Sequence, residues 1–132
     1  MWIFLSNAFL SIVSCPTDRT KLLVRARVRG DIERVFGSDH AVTKTPGRDY
    51  LYRATIPRRY VAAKMVCLVT DIDYGNFKDS VADDQYHDAC SRTWIAMKAL
   101  QDVKETPTAH QNRSRKSDPW PKPKKIPRGF WD

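Results

Sequence analysis

Asp83, Asp84, His87 and Asp88 are the densest group of acid, base and ligand side chains in the chain. On a helix Asp83 and His87 lie four residues apart, as do Asp84 and Asp88, so two neighbouring pairs offer oxygen and nitrogen donors to a divalent metal. A plainer reading competes: acidic residues favour the first turn of a helix, where they offset its partial positive charge, and Asp83 and Asp84 fall there. No further ligand group accompanies them in sequence, so no metal is assigned. Asp39-His40 is a second acid and imidazole pair, in a loop, without a G-x-S-x-G elbow or other nucleophile motif beside it. Five glycines form neither G-x-G-x-x-G nor a phosphate-binding P-loop. The expectation is therefore a non-enzymatic protein with no catalytic residue and no cofactor.

Basic residues give a stronger lead. Arg25, Arg27 and Arg29 alternate along an apparent strand, which places them on one face about 7 Å apart, close to the phosphate repeat of an extended nucleic acid strand. Arg53 joins them if its own strand pairs in matching register. The competing reading is that charge on an exposed sheet face prevents aggregation. Arg58-Arg59 opens a helix, where cations are mildly unfavourable against the dipole, consistent with an anion site or with plain solvation.

The 132 residues carry a formal charge of +8. Sixteen basic and twelve acidic residues precede position 105, and seven and three follow, so each part carries +4 although the second is far shorter. Residues 105–132 hold five of the eight prolines and too little apolar surface to offset ordering entropy, which predicts a disordered tail. Within it Arg113, Arg115, Lys116, Lys122, Lys124 and Lys125 suit phosphate, while Trp120, Phe130 and Trp131 suit base stacking or a groove on a host protein.

These groups need a scaffold, and residues 1–104 predict a single α+β domain. Residues 1–15 are apolar but too short to span a bilayer, and no Lys or Arg precedes Arg19 to make a secretion signal. One bent strand or two short ones are expected there. Cys15, Cys67 and Cys90 form neither an even set nor a C-x-x-C pair, which suits reduced thiols in a cytoplasm, with Cys67 and Cys90 as small core residues. Lys21 to Arg29 alternates as a half-buried strand, Asp31 caps a short helix over Ile32 to Phe36, and a short strand is considered at Ala41 to Thr43. Tyr50, Tyr52, Ala54 and Ile56 form one face of a further strand closed by Pro57. Pro57 opens a helix with Val61, Met65, Leu68 and Ile72 at helical spacing, apolar enough to be buried on most sides. Ser80 and Asp83 resemble a capping box for a last helix with the stripe Tyr86, Cys90, Trp94, Met97 and Leu100. The order favours an antiparallel or mixed sheet with two longer helices on one face and the arginines of the strands turned to solvent on the other.

VRARVRGDIERVF at Val24 to Phe36, DYLYRATIP at Asp49 to Pro57, IDYGNFKDSVADD at Ile72 to Asp84 and the YHDA that follows together resemble a family of small, functionally uncharacterised bacterial and phage proteins. The resemblance covers residues 1 to about 100 and implies no activity, cofactor or site residue; the basic tail falls outside it. Two functions remain in view. One is an accessory protein that binds nucleic acid weakly through Arg25, Arg27, Arg53 and the tail. The other is an interaction module that docks on a host protein through Trp120, Phe130 and Trp131.

Overall fold

The computed structural model describes residues 1–105, so the expectations placed on Arg113 to Lys125, Trp120, Phe130 and Trp131 lie outside the described residues. Strands β1 (Trp2–Leu5), β2 (Ala8–Ser14), β3 (Lys21–Ala26), β4 (Thr43–Lys44) and β5 (Tyr52–Pro57) form one sheet. Its order is β1-β2-β3-β5-β4, antiparallel throughout. Helices α1 (Asp31–Phe36), α2 (Arg58–Thr70) and α3 (Asp84–Glu105) complete the expected α+β fold, with a 3-10 turn at Lys78–Ser80. No described helix is long and apolar enough to cross a membrane.

Register places the core. Leu10 opposes Ile3 and Ala26, Val24 opposes Ile12 and Ala54, and Leu22 opposes Ile56, so one apolar face runs unbroken from β1 to β5. Ile32, Val35 and Phe36 of α1 and Val61 of α2 close over it, with Met65 and Leu68 packed at the margin. Burying side chains of this size contributes about 1.5–3 kcal/mol each. The N-terminal residues are two strands rather than one because Ser6-Asn7 makes a tight turn; Ile3 and Leu5 then share the core face with Ala8, Leu10 and Ile12.

Several local expectations need correction. The strand from Lys21 ends at Ala26, so Arg27 and Arg29 lie beyond it in the turn that leads to Gly30. Gly30, with φ +89°, takes the capping position of α1, which leaves Asp31 inside the first turn. Tyr50 precedes β5 and leaves the face of Tyr52, Ala54 and Ile56. Helix α2 is buried on one side only, since Val66, Cys67 and Val69 are exposed on its outer side. Helix α3 begins at Asp84 and buries Cys90 alone. Beyond Cys90 its stripe is uncovered, with Trp94 52% exposed and Met97 and Leu100 likewise open. The Trp94 ring is covered in part by the Lys78 ammonium, 4.4 Å from its centroid.

Candidate nucleic-acid interface

The face of the sheet turned away from α1 and α2 carries the arginines. The ladder sets Arg25 opposite Ser11 on one side and Arg53 on the other, so the matching register that the alternation requires is present. Arg25 Nη2 donates to Ser11 Oγ at 2.7 Å. Arg53 donates from Nε to Thr45 Oγ1 at 3.1 Å and from Nη2 to Asp49 Oδ1 at 3.3 Å. Arg27 reaches back from the turn to donate to the Asp49 carbonyl at 2.7 Å. The Tyr50 ring lies against both guanidinium groups, 4.6 Å from Arg25 and 4.5 Å from Arg27, and is itself buried.

These contacts correct the picture of three arginines pointing freely at solvent. Arg25 and Arg53 are partly covered, and only Arg27 is exposed. Together they pin residues 45–50 onto the sheet. A guanidinium has five N–H donors in a planar fork, and the contacts named occupy one or two on each. Arg25 Nε is buried with no partner.

Aromatic residues of the β1–β2 hairpin extend the cluster. Trp2 meets Phe9 edge-on at 6.1 Å, Phe4 meets Phe9 at 4.6 Å, and Phe9 lies 6.5 Å from Tyr50. Rings therefore run from the free edge of the sheet to the arginines. Trp2, 67% exposed, ends the row. Trp2, Phe4, Phe9 and Tyr50 also line a groove of about 1010 Å³, to which α3 contributes Tyr86 and Thr93. The Tyr86 hydroxyl donates to the Ala8 carbonyl at 2.9 Å, and burial, helped by the neighbouring Cys90, pushes its phenol well above the usual tyrosine range.

Asp31 fixes this hairpin to α1. β3 has ended where β2 still needs a partner, and the Phe9 N–H donates instead to Asp31 Oδ2 at 3.1 Å. The other carboxylate oxygen pairs with Arg34, whose Nε donates to the Asn7 carbonyl at 3.0 Å. A buried carboxylate is held by charge-assisted hydrogen bonds on both oxygens.

The acid and imidazole group disperses into helix chemistry. Asp83 Oδ1 accepts from the Tyr86 N–H at 2.7 Å, the cap expected to involve Ser80, while Ser80 Oγ donates to the Phe77 carbonyl. Asp88 pairs with Arg92 at 2.9 Å. Among the described residues no group of three or more His, Cys, Asp or Glu is placed to hold a metal ion. His40 packs edge-on against Tyr60 at 4.9 Å. Arg58 Nε donates to the Arg19 carbonyl, and Arg59 is exposed.

Sequence reasoning missed Trp2, Phe4, Phe9 and Tyr50. The first three had a signal: once Ile3, Leu5, Ala8 and Leu10 are taken as the inward set, alternation puts all three rings outward. Comparison with family models, curated proteins and solved structures finds no match.

Proposed function

We propose that the protein binds single-stranded nucleic acid across the outer face of its sheet. The observation that carries this reading is the row Trp2, Phe9, Tyr50 ending on Arg25 and Arg27. Every base has a π face, so the exposed Trp2 ring and the partly exposed Phe9 beside it accept bases without regard to sequence, while the exposed Arg27 guanidinium, backed by the buried Tyr50, supplies a phosphate contact. A stacked duplex cannot offer its base faces to such a row, which predicts preference for single strands. Lysines and arginines of the tail, at Arg113, Arg115, Lys116, Lys122, Lys124 and Lys125, add charge attraction in this reading. The kinship with small bacterial and phage proteins is part of the proposal and brings no activity of its own.

Fluorescence anisotropy with a labelled single strand and a matching duplex across a salt series tests it. Trp2→Ala with Phe9→Ala should weaken single-strand binding by about 1–3 kcal/mol per lost stacking partner while leaving the salt slope unchanged. Equal affinity for duplex and single strand, indifferent to both rings, would overturn the reading and leave charge attraction alone, and no binding even at low salt would favour docking of Trp120, Phe130 and Trp131 on a protein.

A further inference from the structure

Strand β1 is an edge of the sheet, and its backbone shows which groups face outward. The Met1 ammonium donates to the Ile12 carbonyl and the Ile12 N–H to the Met1 carbonyl, both at 2.8 Å, so Met1 and Ile12 form a hydrogen-bonded pair. In an antiparallel ladder such pairs alternate with non-bonded ones. Ile3 with Leu10 and Leu5 with Ala8 are therefore bonded pairs, and Trp2 with Ser11 and Phe4 with Phe9 are not. The N–H and C=O groups of Trp2 and Phe4 point away from β2, and β1 pairs with no other strand among the described residues.

Edge strands usually carry a charge, a proline or a bulge that blocks further pairing. WIFL has none of these, and Asp18 is the first charged side chain in the sequence. We propose that β1 pairs antiparallel with β1 of a second copy about a two-fold axis through Ile3. Trp2 then opposes Phe4 of the second copy, and Phe4 opposes its Trp2, making about four ladder hydrogen bonds from groups that β2 leaves unused. The pairing suits a second copy because it places no like charges opposite each other. It also stacks Trp2 on Phe4 across the strands on the outer face, and it sets Ile3 against Ile3 on the core face, where each is only partly buried. The two aromatic rows become one continuous row across the paired sheets.

The test needs no nucleic acid, so its failure is separable from that of the binding reading. Light scattering on the full chain at about 100 µM should give twice 15.2 kDa. Trp2→Pro removes an outward N–H at the first residue of the strand, costs no bond to β2, and should halve the mass with a cooperative melt retained. In the unaltered chain, amide exchange at Phe4 should slow at least tenfold as concentration rises through the association range. A monomeric unaltered chain, a dimer that survives Trp2→Pro, or Phe4 exchange independent of concentration would each overturn the proposal.

Discussion

Replacing Asp31 by alanine should destabilise the fold by about 3 kcal/mol. Its carboxylate is buried and accepts from the Phe9 N–H and from Arg34. Hydrogen bonds to a charged group contribute roughly 1.5–3 kcal/mol each, and breaking a buried pair costs about 3–5 kcal/mol. The Arg34 side chain is 44% exposed, so water recovers part of its loss, which brings the sum to the lower end. For a domain of this size about 3 kcal/mol lowers the melting midpoint by roughly 12–24 °C. Asp31→Asn separates charge from shape, since its carbonyl still accepts the Phe9 N–H, and should cost only about 1 kcal/mol. Urea titrations followed by circular dichroism give both values, read as shifts of midpoint at constant slope. Alanine within about 0.5 kcal/mol of the unaltered chain, or alanine and asparagine equal, would refute the role assigned to the carboxylate.

Other outcomes follow from burial and ionisation. Trp94→Ala should cost about 1 kcal/mol or less, against about 3–5 kcal/mol for Phe36→Ala, because Trp94 is half exposed and Phe36 is fully enclosed; denaturant midpoints compare them. A maleimide should label Cys67 first in the native chain, since Cys15 and Cys90 are buried and burial also raises the Cys90 thiol; a single adduct by mass spectrometry checks this. Burial raises the Tyr86 phenol in the folded chain, so the folded state holds that proton more tightly than the unfolded one. Stability should therefore be unaffected by Tyr86 below pH about 10 and fall above it, and Tyr86→Phe should flatten that alkaline limb in melts at rising pH.

The strands were legible because one buried face enforces strict alternation: the inward sets Leu22, Val24, Ala26 and Tyr52, Ala54, Ile56 follow from period two, while the pairing that sets Val24 opposite Ala54 does not. Helix positions were legible for the same reason at period 3.6, but helix burial was not. Tyr86, Cys90, Trp94, Met97 and Leu100 form one stripe in sequence, yet burial stops at Cys90, and nothing local to Trp94 reports that. Alternation grouped Arg25 with Arg27 in sequence, and the register that adds Arg53 came only with the structure. Their engagement with Tyr50, Asp49 and Thr45 depends on the path of a loop, which hydrophobic periodicity does not encode. Asp31 was expected as a cap because it stands before an apolar run; Gly30 took that position and freed the carboxylate to serve β2.

Photocrosslinking to a single-stranded RNA carrying 4-thiouridine, followed by tryptic mapping, tests the central claim most directly. No Lys or Arg precedes Arg19, so Trp2, Phe4 and Phe9 all fall in the peptide Met1 to Arg19, well separated from every peptide of the tail. Stacking on the outer face predicts the dominant adduct in that first peptide, lost when Trp2 and Phe9 are replaced by alanine. Adducts confined to peptides after Lys104 would contradict it and leave the sheet face a structural surface only.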